Sequence, residues 1–268
     1  MQDFSNIKAL IIDMDGVLWH GNVAIEGLCE FFELLRAKDI RFILATNNAS
    51  LTRDQYVKKL ANMGVSVSIE DILTSGTATA LYLAQHYEPS KTRVYVLGEA
   101  GAIEPLAEQG FMLTELYDVT ADIVVVGKDS TVNWDKLATA TLNVRNGAVF
   151  IGTNGDVTLP TERGITHGNG AILAAIQAAS EGIAPICIGK PEPIMYQQAM
   201  TVLGSSLDET VALGDRLDTD ILGAVNTGIR SIMVLTGISN ESDLAKSAYQ
   251  PTWVLPDLKA VIDALKNT

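Results

Sequence analysis

With 268 residues, 47% of them hydrophobic and 19% charged, the chain can bury a substantial core and has length for about two ordinary domains. Its formal net charge of −13 argues against a nucleic-acid polymer or an anionic membrane surface as partner, since both are drawn by excess Lys and Arg. A small anionic substrate stays open if local cations or a metal overcome that field. Cys29 and Cys187 have no metal-binding spacing, which predicts free thiols in a reducing compartment. No apolar stretch approaches the roughly 18 residues of a membrane span. The start of the chain carries Asp3 and lacks a basic region, so no secretory leader is expected and the location read is cytoplasmic.

The first element is Lys8–Leu18, KALIIDMDGVL. Ala9 to Ile12 form a continuous apolar run, as in a strand buried on both faces. It ends in Asp13, Met14, Asp15 and Gly16. Residues two apart on a strand share a face, so Asp13 and Asp15 are expected to point the same way, with Gly16 allowing the sharp turn beyond. Two carboxylates so placed repel unless a cation lies between them, and clustered oxygen ligands suit Mg2+. A strand end followed by an acidic turn is the competing reading of the same residues.

Leu28, Phe31, Phe32, Leu34 and Leu35 then recur at helical spacing, and Arg41–Ala45 reads as a second apolar strand. A helix from Leu51 or Thr52 to Met63 follows, with Gly64 as its cap. This alternation implies a parallel sheet with right-handed crossovers. Further on, Arg93–Leu97, Ile123–Gly127 and Val149–Gly152 read as strands. Thr77–His86, Ile103–Gln109, Asp135–Arg145 and Gly170–Ser180 read as helices. The last part has strands at Val211–Leu213, Ser231–Leu235 and Trp253–Leu255, and helices near Pro193–Leu203, Thr219–Asn226 and Asp257–Lys266. So many strands exceed one ordinary sheet, which predicts two α/β domains.

Thr46, Asn47 and Asn48 follow the second apolar strand, where open α/β sheets bind ligands. A hydroxyl, side-chain amides and turn N–H groups there could hold phosphate oxygens, although the same cluster serves as an ordinary turn or helix cap. Lys190 lies in IGKPEP, where Pro191 and Pro193 stiffen the segment and would pre-position an ammonium; a solvated surface lysine is the alternative. Asp215, Asp218 and Asp220 lie in VALGDRLDTDILGA. Asp220 reads as the opening of a helix, where a carboxylate is favoured. Asp215, directly after Gly214, lacks that explanation and is the better metal-ligand candidate.

Taken together, these strand-end residues resemble the haloacid-dehalogenase superfamily of aspartate-nucleophile phosphohydrolases. Asp13-Met14-Asp15-Gly16-Val17-Leu18 is similar to its first motif, Thr46 to its second, Lys190 to its third, and Gly214-Asp215 with Thr219-Asp220 to its fourth. More closely the chain resembles the NagD-like subgroup (subclass IIA), which includes nucleotide, 4-nitrophenylphosphate, phosphoglycolate and pyridoxal-phosphate phosphatases. The similar segments are Ala45–Ser50, Gly152–Asp156, Pro160-Thr161-Glu162 and Gly189–Pro193. Where members of the subgroup often have Pro, this chain has Gly155.

The resemblance implies an α/β fold: a Rossmann-like parallel-sheet core from residues 1–76 and 185–268, with an inserted α/β C2-type cap from residues 77–184. It implies a Mg2+-dependent phosphomonoester hydrolase acting on small soluble phosphates: nucleoside monophosphates, sugar phosphates or 4-nitrophenylphosphate-like esters. Asp13 would be the nucleophile, forming an aspartyl-phosphate, and Asp15 the acid and then the base. Lys190 would neutralise the phosphate, with Thr46, Asn47 and Asn48 around it. Asp13, the Asp15 carbonyl and Asp215 would hold Mg2+, with Asp220 one layer further out. In the cap, Asn154, Asp156 and a turn over Gly164–Gly170 would face the core and meet the leaving group. His167 reads as a substrate contact or a solvated loop residue, and Trp19 and His20 as packing or as the lining of the entrance. A homo-oligomer through the cap is compatible with the same resemblance. Two other readings share these residues: phosphotransfer to another alcohol through the same aspartyl-phosphate, and a signalling domain whose Asp accepts phosphate without turnover. Asp15 and the large insertion argue against the second.

Overall fold

The computed structural model describes residues 4, 6–161 and 163–267; Glu162 of the Pro160-Thr161-Glu162 signature lies outside them. The chain divides into two units. One comprises Met1–Thr46, Arg53–Leu73 and Lys190–Thr268, the other Asn47–Thr52 and Thr74–Gly189. Both are α/β.

The first unit is built on a six-stranded sheet in the order Trp253–Leu255, Arg230–Val234, Thr210–Gly214, Ala9–Ile12, Arg41–Thr46, Ile72–Thr74. Ala9–Ile12 runs parallel to both its neighbours, with Ile12 level with Leu213 on one side and Leu44 on the other. Every residue of Ala9–Ile12 and of Thr210–Gly214 is buried, the condition of parallel strands covered by helices on both faces. The helix Leu28–Ala37 buries Leu28, Phe31, Phe32 and Leu35 on one stripe, the spacing visible in the sequence. Pro193 opens the helix Pro193–Leu203, and Gly204 ends it at φ 60°, using proline's fixed φ and glycine's access to the left-handed region. This is a Rossmann-like arrangement, in which the sheet reverses its winding about Ala9–Ile12. Ligands in such sheets bind outside the carboxyl ends of the strands at that reversal.

The second unit has a five-stranded parallel sheet in the order Ile186–Cys187, Val149–Gly152, Ile123–Val126, Arg93–Leu97, Met112–Leu113. Its core gathers Tyr95, Val124, Val126, Ala140, Val144 and Phe150 with Ile172, Leu173 and Ile176. Among the described residues, no helix is long and apolar enough to cross a membrane.

The structure corrects two expectations. Gly164–Gly170 is not a simple turn: Gly164–His167 is a strand paired antiparallel with Thr158–Thr161. Gly164, Ile165 and His167 are exposed and Thr166 is half-buried, so the strand has no buried apolar face whose alternation would mark it in the sequence. The helix expected over Thr219–Asn226 is an α-helix only from Leu222 to Thr227. Leu217–Ile221 is a wider π-type turn with no side-chain cap. Asp220 is therefore not a helix cap. Its carboxylate is turned inward, for the reason given below.

Candidate active site

Three adjacent strand ends of the first unit carry the candidate chemistry. Asp13 follows Ile12, Thr46 closes its own strand, and Asp215 follows Gly214. The backbone N–H of Asp13 donates to Leu213 O at 2.8 Å, which extends the parallel pairing one residue and fixes where the Asp13 side chain leaves the sheet. Thr46 is buried.

Lys190 is buried and donates to Asp13 Oδ1, to Asp220 Oδ1 at 2.7 Å and to Ala45 O at 3.0 Å. It is no surface lysine. Burial alone would lower its pKa, but the charges of Asp13 and Asp220 outweigh burial and hold it well above the ordinary lysine value. Asp220 is the reason the segment 217–221 is a wide turn. Its Oδ1 takes Lys190, its Oδ2 accepts Arg216 N–H at 3.1 Å, and its backbone carbonyl accepts the Tyr196 hydroxyl at 2.9 Å. A Cβ on Gly214 would stand 2.2 Å from that of Asp220, so only glycine admits the turn so close to the strand.

One carboxylate oxygen each from Asp13, Asp215 and Asp220 lie within 4.8 Å of one another. Burial, and then the charges of Asp220 and Asp215, raise the Asp13 carboxyl well above the usual range despite Lys190. Burial and the Asp220 charge push Asp215 up to about 6. Asp215 Oδ2 accepts Ile238 N–H at 2.7 Å, whereas its Oδ1 is buried and has no hydrogen-bond partner among the described residues. A buried carboxylate oxygen without a partner costs free energy. Oxygen donors this close suit a hard divalent cation, so the residues present fit Mg2+.

The carboxylate group formed by Asp13, Asp215 and Asp220 does not include the Asp15 carboxylate. Asp15 accepts the Trp19 indole N–H at 2.7 Å. The chain turns between them because Gly16 adopts φ +85°. Sequence reasoning also missed the loop Thr236–Ser239. The Thr236 hydroxyl donates to Gly16 O at 2.6 Å, and Leu217 N–H donates to the Ser239 hydroxyl at 3.0 Å. A Cβ on Gly237 would lie 1.8 Å from Asp215 Oδ2. Its one sequence signal was a Thr-Gly pair just beyond an apolar strand.

Asn47, Asn48, Asn154, Asp156 and His167 belong to the second unit, whereas Trp19 and His20 belong to the first. Asn154 Nδ2 donates to Asn47 O at 2.8 Å, Asn47 Nδ2 to Asp156 Oδ2 at 3.2 Å, and Asp156 N–H to Asn154 Oδ1 at 3.2 Å. Asn48 Oδ1 accepts Ser50 N–H at 2.9 Å, so that side chain serves its own turn. His167 is exposed and its Nδ1 lies 3.3 Å from the Thr166 hydroxyl. His20 is exposed on a two-residue strand paired with Val23, while Trp19 is fully buried.

Two family models match the chain. A haloacid dehalogenase-like hydrolase model covers residues 10–112, and a HAD-hydrolase-like model covers residues 187–261. The acid sugar phosphatase of Staphylococcus saprophyticus is 40% identical over 98% of this chain and 99% of its own length. The crystal structure of the 4-nitrophenylphosphatase of Thermotoga maritima matches with a TM-score of 0.89 and 34% identity, over 97% of this chain and 98% of that one. NagD of E. coli K-12 matches with a TM-score of 0.86 and 37% identity, over 94% and 96% respectively.

Proposed function

The chain belongs to the haloacid dehalogenase-like hydrolases, among their NagD-like phosphatases, and from that premise we propose a Mg2+-dependent phosphomonoesterase that works through an aspartyl-phosphate on Asp13. The observation that carries the reading is the buried Lys190 ammonium bonded to both Asp13 and Asp220, with the partnerless oxygen of Asp215 in the same carboxylate group.

In this mechanism an oxygen of Asp13 attacks phosphorus as the bond to the leaving oxygen breaks. Asp15 gives that oxygen a proton, then takes one from the water that releases phosphate. Lys190 keeps Asp13 oriented and offsets the negative charge of the incoming phosphoryl group. Thr46, at the next strand end, offers a hydroxyl to a phosphoryl oxygen. Most of the rate enhancement therefore comes from position and charge. Asp13, the Asp15 backbone carbonyl and Asp215 would hold Mg2+, with Asp220 supporting Lys190 behind them. When bound, the cation supplies further charge neutralisation for the phosphoryl oxygens.

The substrates are small phosphate monoesters. Sugar phosphates are favoured by the likeness to the acid sugar phosphatase, and 4-nitrophenyl phosphate by the likeness to the 4-nitrophenylphosphatase. The second unit is read as the inserted cap, with Asn154 and Asp156 as residues that meet the substrate and Asn47 and Asn48 as phosphate-binding residues. Free thiols at Cys29 and Cys187 suit a reducing cytoplasm.

The test is phosphate release from a panel of sugar phosphates, nucleoside monophosphates and 4-nitrophenyl phosphate, with Mg2+ and with chelator. Turnover that requires the metal is expected. Well-folded protein that releases no phosphate from any ester would overturn the reading, and phosphate passed to an added alcohol would redirect it to transfer.

A further inference from the structure

Asp15 has a hydrogen-bond donor built into the fold. The Trp19 Nε1–H donates to its Oδ1 at 2.7 Å. Asp15 is exposed, but Trp19 is fully buried, so the indole is the fixed partner and the carboxylate the held one. The backbone between them is closed on itself: Gly16 N–H donates to Trp19 O at 2.8 Å, and Leu18 N–H to Met14 O at 2.8 Å. On the ring's face sits the ammonium of Lys59, 4.3 Å from the centroid, a cation–π contact that further limits rotation of the indole. An indole N–H is a donor only. It binds an unprotonated, negatively charged oxygen more strongly than a carboxyl hydroxyl, which favours Oδ2 as the oxygen that carries the proton.

We propose that Trp19 is the positioning residue for the acid–base group: its N–H holds Asp15 in one orientation and selects Oδ2 as the atom that moves the proton. The inference rests on Asp15 acting as proposed above. In the first step a bond forms between Asp13 and phosphorus, the phosphorus–leaving-oxygen bond breaks, and the proton on Asp15 Oδ2 passes to the departing oxygen. In the second, water adds to phosphorus, its proton returns to Oδ2, and the Asp13–phosphorus bond breaks. A carboxyl group left to rotate would reach either oxygen less often, and small misplacements of a catalytic group are costly.

The test compares Trp19→Phe with wild type on two esters, using kcat/KM, which reports events up to departure of the leaving group. Phenylalanine keeps a ring for Lys59 and the core but has no N–H. 4-Nitrophenolate departs without a proton, whereas the alkoxide of glucose 6-phosphate needs one. The expected result is a loss of kcat/KM on glucose 6-phosphate about tenfold larger than on 4-nitrophenyl phosphate. Equal losses on both esters, or no loss on either, would overturn the role, since a merely unstable variant loses both alike.

A second readout needs no turnover. The chain has three tryptophans, so their indole N–H resonances are easily followed in a nitrogen-15-labelled sample. In Asp15→Ala the Trp19 resonance should move upfield while those of Trp134 and Trp253 stay in place; a stationary Trp19 signal would refute the contact. Wild type inactive on every ester, with a responsive Trp19 resonance, would mean instead that the hydrolase reading had failed and taken the catalytic role with it.

Discussion

Lys190 Nζ stands 2.7 Å from Asp220 Oδ1 and donates in the same position to Asp13, so one buried ammonium joins carboxylates from opposite ends of the chain. Taking only the cation away would leave two buried carboxylates with nothing between them. Removing one member of a buried ion pair typically costs about 3–5 kcal/mol. Lys190→Met is therefore expected to lower unfolding free energy by about that amount in denaturant titrations without metal, and to reduce kcat by at least ~10³-fold. A variant as stable and as active as wild type would show that the ammonium is incidental.

Asp215 predicts a metal-linked stability. Its Oδ1 is buried without a partner among the described residues, while Oδ2 is held by Ile238 N–H. A cation that binds only the folded state stabilises it by mass action, about 2.7 kcal/mol at a hundredfold excess over Kd. Thermal unfolding followed with and without Mg2+ should show a higher Tm with the ion for wild type. Asp215→Asn should remove most of that increment and be at least as stable as wild type when metal is absent. The same Mg2+ increment in both proteins would place the ion elsewhere.

Gly237 is a steric prediction. A methyl at its Cα would come 1.8 Å from Asp215 Oδ2, far inside contact distance, so Gly237→Ala must push the Asp215 carboxylate or the loop aside. The Mg2+ concentration needed for half-maximal phosphate release should rise by about tenfold, as for changes next to metal ligands in general. An unchanged metal requirement would mean that the loop moves freely.

These two neighbours divide what the sequence could reveal from what it could not. Asp215 was legible because an apolar strand stops at Gly214 and an acid follows at once, as it does at Ile12 and Asp13. The alternation of strands and helices made the parallel α/β fold readable on the same grounds. Gly237 was not legible: its contribution is the side chain it lacks, and Ile238 contributes a backbone N–H that any residue but proline would supply. Asp220 was seen but misread as a helix cap. Local spacing cannot reveal that Lys190, distant in sequence, draws the carboxylate inward and widens the turn. Asp15 was expected to share a face with Asp13 by strand periodicity; what spacing could not show is that its carboxylate stands outside the three-carboxylate group and is held by the Trp19 indole four residues on.

Asp129 gives a pH-dependent prediction remote from the carboxylate cluster. It is buried, accepts Lys136 Nζ at 2.6 Å, and its other oxygen accepts Thr131 N–H and hydroxyl at 2.8 and 2.7 Å. Burial would raise its pKa, but the bonds from Lys136 and Thr131 prevail and hold it below the ordinary carboxylate value of 3.8. A carboxylate lowered by folding adds stability above its unfolded pKa, and that stability is lost as pH falls through the lowered folded value. Asp129→Asn should thus be less stable than wild type by about 1–3 kcal/mol at pH 7, and the gap should close progressively below about pH 4. A gap independent of pH would assign the loss to packing instead.

The most direct test of the account is the covalent state of Asp13 during turnover. Enzyme mixed with a sugar phosphate and Mg2+, quenched in acid within one turnover and digested, should yield a phosphorylated peptide containing Asp13. The modification should disappear when substrate is exhausted, and Asp13→Asn should form none while losing phosphate release. Undiminished turnover by Asp13→Asn, or a phosphoryl group on another residue, would contradict the assignment of Asp13 as nucleophile.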